Sequence, residues 1–196
     1  MIAIVDYNAG NTRSVINALK RMNIEHVLSA DPSVIKNADK IILPGVGHAK
    51  SAMDNLKKRY LVDVLSNAKQ PFLGVCVGMQ LMATKSTEGP TDGLGIVDSI
   101  VQKFEFETNE VKVPHMGWNH IHIKEDHPIF SGIEDKSHVY FVHSYYMPLN
   151  KHTLCSTAYG VNYSAAILKD NFIGVQFHPE KSGPIGERML KNFVKL

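Results

Sequence analysis

The first 80 residues alternate between short apolar runs and segments with helical periodicity. Four continuous apolar runs are typical of buried parallel strands: 2–5, 26–28, 41–43 and 71–73. The segments between them place apolar residues on one helical face, as Val15 and Leu19 do in the first of them. This alternation predicts a doubly wound, flavodoxin-like α/β fold with a mostly parallel sheet. In such sheets the functional groups gather beyond the carboxyl ends of the strands.

The second half of the chain has a different pattern, in which strands follow one another across short turns. Six segments are predicted as strands: 96–104, 120–123, 139–146, 154–159, 164–168 and 172–177. They predict antiparallel additions to the sheet in the C-terminal half, and 185–196 is predicted to close the chain as a helix. Because the sequence contains no repeat, low-complexity tract or linker, we expect residues 1–196 to form a single domain.

Composition excludes several classes of function. The chain has 196 residues, 44% of them hydrophobic, and a formal net charge of +2, too small to indicate a nucleic-acid or membrane partner. Its two cysteines, Cys76 and Cys155, lack metal-ligand spacing, and Cys155 is predicted to lie in the core. The N-terminal residues are predicted to form a first strand and not a signal peptide. No apolar run is long enough to span a membrane. We therefore expect a soluble cytoplasmic protein with free thiols.

A cysteine between two glycines follows the fourth apolar run, in the sequence Gly74-Val75-Cys76-Val77-Gly78. At a junction between a strand and a helix this pattern predicts a nucleophile elbow with sulfur in place of the usual serine oxygen. The residues that follow, as far as Ala83, favour a helix, whose N-terminus would stabilise a thiolate. A small buried cysteine in a tight turn is the alternative for this motif alone.

A base and an orienting acid come about a hundred residues later, in His178-Pro179-Glu180. Pro179 favours extended backbone at His178, and residues two apart in an extended segment point to the same side. Glu180 can therefore fix the tautomer of His178. Together with Cys76 these residues form a candidate catalytic triad of nucleophile, base and acid.

A thiolate that attacks an amide also needs donors for the negative charge that develops on oxygen. The N–H of Val77, directly after the nucleophile, is one candidate. The loop Gly45-Val46-Gly47 follows the third apolar run and offers the N–H groups of Val46 and Gly47. An ordinary strand-to-helix turn explains this loop equally well.

Taken together, these motifs resemble those of the class I (triad) glutamine amidotransferases, and the resemblance covers essentially the whole chain. It rests on the stretch from Gly74 to Gln80, on Pro44-Gly45-Val46-Gly47 and on His178-Pro179-Glu180. Three longer stretches resemble the glutaminase subunits of imidazole glycerol phosphate synthases in particular: 112–119, 140–146 and 178–183.

The resemblance implies hydrolysis of glutamine to glutamate and ammonia through a Cys76 thioester, with no metal and no organic cofactor. The ammonia would pass to a cyclase subunit with a (β/α)8 barrel, which uses it to form imidazole glycerol phosphate in histidine biosynthesis. The expected assembly is a heterodimer of the two subunits.

The resemblance also assigns binding residues. Substrate contacts are implied for Gly45, Gln80, Glu88, Ser144 and Tyr145, where the Glu88 carboxylate suits the α-amino group of glutamine. Contacts with the cyclase are implied for Asn11, Trp118, Tyr140 and Lys181. The chain departs from the family pattern at Val77, where leucine is usual, and at His48, where a small residue is usual.

Other functions remain open from the sequence. A paralogue could feed ammonia to another synthase, for example one that makes amidino sugars. A hydrolase or peptidase could use the same elbow without ammonia transfer. A non-enzymatic binding module is a third alternative, although the loop at 8–14 lacks the glycine density of a phosphate cradle.

Overall fold

A computed structural model describes residues 1–8, 11–107 and 111–196 of the chain. The strands are β1 Ile2–Val5, β2 His26–Ser29, β3 Lys40–Gly45, β4 Phe72–Cys76, β5 Ala83–Ser86, β6 Thr91–Asp92, β7 Val97–Lys103, β8 His115–His120, β9 His122–Ile123, β10 His138–His143, β11 Tyr145–Tyr146, β12 Thr153–Tyr159, β13 Val161–Lys169 and β14 Phe172–Val175. The helices are α1 Thr12–Arg21, α2 Pro32–Lys36, α3 Ala49–Lys58, α4 Val62–Ser66, α5 Val77–Gln80 and α6 Gly183–Lys195. Single 3₁₀ turns cover Pro128–Phe130 and Pro179–Lys181. Two residues of the turn predicted at 8–11, Ala9 and Gly10, lie outside the described residues.

The main sheet has eight strands in the order β2-β1-β3-β4-β14-β13-β12-β9. The first five of these are parallel, and β13, β12 and β9 extend the sheet in antiparallel fashion. The fold class predicted from the sequence is therefore confirmed. Cα pairing of Gly45 with Cys76, and of Val175 with Val75, places the carboxyl ends of β3, β4 and β14 side by side. The segments that follow these three strands consequently meet at one edge.

Helix starts follow the local sequence. The Asn11 side chain accepts a hydrogen bond from the N–H of Ser14 at the start of α1, and Asp31 caps α2 in the same way, with Pro32 at the first helical position. Strands β1, β4 and β14 are buried throughout. Among the described residues, no helix is long and apolar enough to cross a membrane.

The second half forms more sheets than the sequence predicts. A two-stranded sheet pairs β10 with β8, and a four-stranded sheet has the order β11-β7-β5-β6. Strands β5, β6 and β8 were not predicted, and the single strand predicted at 139–146 is two strands separated by Ser144. The hydropathy pattern does not predict strand β8, because this strand buries His115 and exposes Met116 and Trp118, the reverse of the usual preference.

Candidate active site

Cys76 is the last residue of β4 and has a positive φ of 54°, with a ψ of −110°. Glycine is required on both sides because the turn is tight. A Cβ at Gly78 would lie 1.9 Å from the carbonyl oxygen of Leu43, and one at Gly74 would lie 2.7 Å from the carbonyl oxygen of Gly78. The strained, close-packed turn is the elbow that the sequence predicts.

The helix after the elbow is shorter than predicted. It is the single turn α5, Val77–Gln80, and Ala83 already begins β5. Residues 77–83 are all buried, so their hydropathy carries no helical period. Since the first N–H groups of a helix have no partner within it, the N–H of Val77 remains available at the edge where Cys76 lies.

His178 and Glu180 lie side by side below the surface. Nδ1 of His178 is 2.8 Å from Oε1 of Glu180, and each side chain is 1% exposed. The other ring nitrogen, Nε2 of His178, has no hydrogen-bond partner of good geometry among the described residues. The Glu180 carboxylate therefore fixes the proton on Nδ1 and leaves Nε2 for chemistry.

Electrostatics link His178 to Cys76. Burial by itself lowers the pKa of His178, but its interactions with the Cys76 sulfur and the Glu180 carboxylate outweigh burial and raise the pKa to about 10. A cationic imidazole beside the sulfur favours the thiolate form of a cysteine. The structure thus brings together all three residues of the predicted triad, from the ends of β4 and β14.

A pocket with a volume of about 270 Å³ opens over Cys76. Seven of the residues predicted from the sequence line it together with the nucleophile: Val46, Gly47, Val77, Gln80, Glu88, Ser144 and Tyr145. Pro114, Val142 and His143 complete the wall and were not predicted. A pocket of this size takes a small molecule such as a single amino acid. Among the described residues, no group of acidic, histidine and cysteine side chains is arranged to hold a metal ion.

Gly45 does not line the pocket, although the resemblance implies a substrate contact for it. Its Cβ would lie 2.5 Å from the N atom of Gly78, so glycine is needed here for β3 to approach the elbow. Gly47 has a φ of +89°, and Val46 and Gly47 are at the pocket wall. His48 is exposed and its Nδ1 accepts a hydrogen bond from the N–H of Lys50, so it caps α3.

Glu88 has two kinds of neighbour. Its Oε2 accepts a hydrogen bond of 2.7 Å from the N–H of Ala49, the first residue of α3. Glu88 and Tyr145 both line the pocket, and burial followed by the negative charges of Glu88 and Glu105 raises the pKa of Tyr145. The carboxylate therefore faces the pocket while α3 holds it in place.

Two buried amides beneath the pocket were not assigned a joint role from the sequence. Nε2 of Gln176 is 3.6 Å from Sγ of Cys76, and Gln176 is fully buried. Nε2 of Gln80 is 2.7 Å from the carbonyl oxygen of Tyr145 and 3.0 Å from Oε1 of Gln176. Gln176 lies two residues before His178, and side chains two apart in an extended segment point to the same side. This spacing is the feature of the sequence from which a role for Gln176 could have been predicted.

A further buried network supports the wall of the pocket. Nδ1 of His143 donates to the carbonyl of Tyr145 at 2.8 Å, and burial lowers the pKa of His143 to about 3, so the ring is neutral. The Tyr163 hydroxyl then donates to Nε2 of His143 at 3.0 Å and accepts from Nδ1 of His115 at 2.8 Å. This network fixes the Tyr145 carbonyl that also holds Gln80.

The residues predicted to contact a partner lie outside the pocket. Trp118 is 57% exposed and packs edge-on against Tyr140, with ring centroids 6.0 Å apart. Nζ of Lys181 lies 5.8 Å from the centre of the Tyr140 ring. Met116, 62% exposed, lies on the same strand as Trp118. We refer to Trp118, Tyr140, Lys181 and Met116 as the aromatic patch. Asn11 begins α1, which packs against the turn that contains Lys181.

Comparison with known proteins gives one consistent result. The family described as "Glutamine amidotransferase class-I" matches residues 3–196. A protein of Bacteroides fragilis named "Imidazole glycerol phosphate synthase subunit HisH" is 50% identical over 196 residues, which covers 100% of this chain and 99% of the relative. A protein of Bacteroides thetaiotaomicron with the same name is 49% identical over 195 residues and equally well covered.

Solved structures agree on the fold. A crystal structure described as a glutamine amidotransferase superimposes with a TM-score of 0.76 at 17% sequence identity, covering 100% of this chain and 98% of that one. At this identity the likeness shows the fold alone, whereas the family match and the relatives extend over the full sequence. The chain belongs to the class-I glutamine amidotransferase family, in the group that contains the HisH subunits of imidazole glycerol phosphate synthase.

Proposed function

We propose that this chain is the glutaminase subunit of an imidazole glycerol phosphate synthase, with Cys76 as the nucleophile. The observation that carries the proposal is the buried pair of Glu180 and His178 at the sheet edge where Cys76 ends β4. Oε1 of Glu180 lies 2.8 Å from Nδ1 of His178, and the pairing of Val75 with Val175 places the strand that carries Cys76 beside the strand that leads to His178. The near 50% identity to HisH subunits over the whole chain supports this choice of synthase.

In the first half of the reaction, the thiolate of Cys76 attacks the side-chain amide carbon of glutamine. A bond forms between sulfur and carbon, and the electron pair of the C=O bond moves to oxygen. The N–H of Val77, with those of Val46 and Gly47, would meet this negative charge. Nε2 of His178 gives its proton to the amide nitrogen, the C–N bond breaks, ammonia leaves and a thioester remains on Cys76.

In the second half, His178 acts as the base. It takes a proton from water, the hydroxide attacks the thioester carbon, and the C–S bond breaks to release glutamate and regenerate the thiolate. The Glu180 carboxylate stabilises the imidazolium at each turn of the cycle without itself becoming protonated. No step requires a metal or an organic cofactor.

The polar groups at the pocket wall would hold the amino-acid end of glutamine. Glu88 is an anion at the pocket wall, which suits the α-amino group, and α3 fixes its orientation through the N–H of Ala49. Ser144 and Tyr145 also line the pocket, where a hydroxyl and a backbone N–H suit the α-carboxylate. Gly45 would contribute through the close approach of β3 to the elbow.

The partner would be a cyclase subunit with a (β/α)8 barrel that receives the ammonia. Tryptophan and tyrosine are residue types that interface hot spots favour, and methionine is enriched at interfaces; here an exposed Trp118 and Met116 lie beside Tyr140. We therefore place the docking surface at the aromatic patch, with Asn11 at its border. A single domain over residues 1–196 and a cytoplasmic location, where Cys76 and Cys155 stay reduced, complete the proposal.

The test is a glutaminase assay with the purified chain, alone and with the cyclase subunit of the same organism. We expect slow hydrolysis by the isolated chain and a large increase when the cyclase binds, since complex formation usually gates wasteful hydrolysis in the family. Strong activity that a cyclase leaves unchanged would contradict the proposal. Peptide and ester substrates, tested in parallel, would reveal a hydrolase of another kind.

A further inference from the structure

Gln176 is fully buried and presents an amide nitrogen to the nucleophile. Its Nε2 lies 3.6 Å from Sγ of Cys76, within the range of an N–H···S hydrogen bond. Sγ of Cys76 is also 3.8 Å from the carbonyl oxygen of Val142, which can only accept a hydrogen bond. A carbonyl at this position favours the neutral thiol, whereas an amide N–H favours the thiolate. The direction in which the Gln176 amide points therefore matters for the state of the sulfur.

A backbone carbonyl fixes that direction. The oxygen of Tyr145 can only accept, so the group of Gln80 that lies 2.7 Å from it must be the NH₂ group. The same NH₂ group of Gln80 lies 3.0 Å from the Gln176 amide, so the Gln176 atom that faces it must be the oxygen. The nitrogen of Gln176 is then left to face Cys76. Neither amide can be turned over without setting two donors or two acceptors against each other.

From this geometry we infer that Gln80 and Gln176 act as one amide pair that holds an N–H donor against the Cys76 sulfur. Gln176 is the member that touches the reacting atom, and Gln80 is a positioning residue that acts through it. The inference rests on the proposed role of Cys76 as nucleophile. The NH₂ group of Gln80 is shared between Tyr145 and Gln176, so a contact of Gln80 with glutamine would use its Oε1.

Other charged or titratable groups also surround the sulfur and must stay constant in a test. His178 approaches from the segment after β14, Tyr7 from the segment after β1, and Tyr163 from β13; the charge of Cys76 contributes to the raised pKa of both tyrosines, after burial. Glu88 lines the same pocket. Substitutions confined to Gln80 and Gln176 leave all four of these groups in place.

The test measures the alkylation rate of Cys76 by iodoacetamide across pH in the full chain, with the modified peptide identified by mass. Methionine replaces each glutamine because it has a similar length and volume but no donor. We expect Gln176→Met to raise the pH midpoint of alkylation by about one unit, equivalent to a roughly tenfold lower rate at a fixed pH below both midpoints. Gln80→Met should raise the midpoint by less, because the Gln176 amide is retained but free to turn.

The double variant decides whether the two residues form a unit. If they do, Gln80→Met combined with Gln176→Met shifts the midpoint no further than Gln176→Met alone. Additive shifts, or a Gln80→Met variant with a higher KM for glutamine and an unmoved midpoint, would overturn the pair. Should Gln176→Met fail to fold, Gln80→Met still carries a prediction of the same sign.

Gln70→Met is the matched control. Its Nε2 also donates to two carbonyl groups, those of Ile35 and Lys36, but away from the pocket. The Gln70→Met variant should lose the same kind of hydrogen bonds and keep the wild-type midpoint of alkylation.

Alkylation is measured without turnover, so the two proposals can be refuted separately. An unreactive Cys76, or a Cys76 that glutamine hydrolysis does not require, would refute the proposed function. If Cys76 is reactive and essential but Gln176→Met leaves the pH midpoint of its alkylation unchanged, only this inference is refuted.

Discussion

Glu180→Gln tests the electrostatics of the proposed active site most directly. The substitution keeps the shape of the side chain and an oxygen that can accept from Nδ1 of His178, but it removes the negative charge from a site where both side chains are 1% exposed. Burial lowers the pKa of His178, so without Glu180 only Cys76 opposes burial. We therefore expect the pKa of His178 to fall below its wild-type value of about 10.

The size of the effect follows from the lost charge. A hydrogen bond to a charged partner contributes about 1.5–3 kcal/mol in a protein. If the imidazolium loses this stabilisation when it forms in the transition state, kcat falls roughly 10- to 150-fold, because about 1.4 kcal/mol corresponds to a factor of ten. The new amide also places an NH₂ group where Oε2 of Glu180 has no hydrogen-bond partner among the described residues, which adds a cost in folding stability.

The pH dependence of stability has a definite sign. Because the pKa of His178 is raised on folding from its ordinary 6.5, its protonation stabilises the folded state fully below about pH 6.5, and this stabilisation disappears as pH rises through about 10. We expect the difference in unfolding free energy between wild type and Glu180→Gln to be larger at pH 6 than at pH 10. Urea denaturation at the two pH values measures it.

The kinetic assay records kcat and KM for glutamine from pH 6 to pH 10, with the cyclase partner at saturation. Glu134→Gln is the matched control, since Glu134 is exposed and the same change should leave both constants unaltered. A Glu180→Gln variant with wild-type kcat and an unshifted pH profile would show that the carboxylate does not set the charge of His178.

Three further substitutions test other parts of the site. Cys76→Ala should abolish glutamine hydrolysis while the circular dichroism spectrum and melting temperature stay close to those of the wild type; residual turnover above background would exclude Cys76 as nucleophile. Gly78→Ala should destabilise the fold by about 3 kcal/mol in urea denaturation, because its Cβ would lie 1.9 Å from the carbonyl oxygen of Leu43; an unchanged midpoint would mean that the elbow can relax. Lys181→Ala should weaken cyclase binding about fivefold in a titration, from loss of its contact with the Tyr140 ring, with kcat at saturation unaltered; a reduced kcat with unaltered affinity would place Lys181 in the chemistry instead.

The parallel half of the fold could be predicted from the sequence because its signals are local. Continuous apolar runs predicted β1, β3 and β4. Because these strands are paired in parallel, their carboxyl ends lie at the same edge of the sheet. The elbow was recognisable because glycine at positions 74 and 78 is a steric requirement of the turn. The extent of α5 was not predictable, since the residues after Cys76 are buried on every side.

The polar wall of the site depends on contacts between residues distant in sequence. Gln176 contacts Gln80, which is 96 positions away in the sequence, and Cys76, which is 100 positions away. Neither contact can be predicted from the spacing of neighbouring residues. His115 joins Tyr163 in the same way, and a histidine buried at the start of β8 contradicts what hydropathy favours. Each of these buried polar groups is satisfied only by the assembled fold.

The proposed chemistry and the proposed docking surface share one residue of the backbone. The carbonyl of Tyr140 accepts a hydrogen bond of 2.9 Å from the N–H of His178, and the N–H of Tyr140 donates to Oγ of Ser182 at 3.0 Å. Ser182 in turn donates to the carbonyl of His178 at 2.7 Å. The ring of Tyr140 meanwhile packs against Trp118 in the aromatic patch. The backbone of Tyr140 therefore joins the proposed docking surface to the segment that carries the base, through hydrogen bonds at both its carbonyl and its N–H.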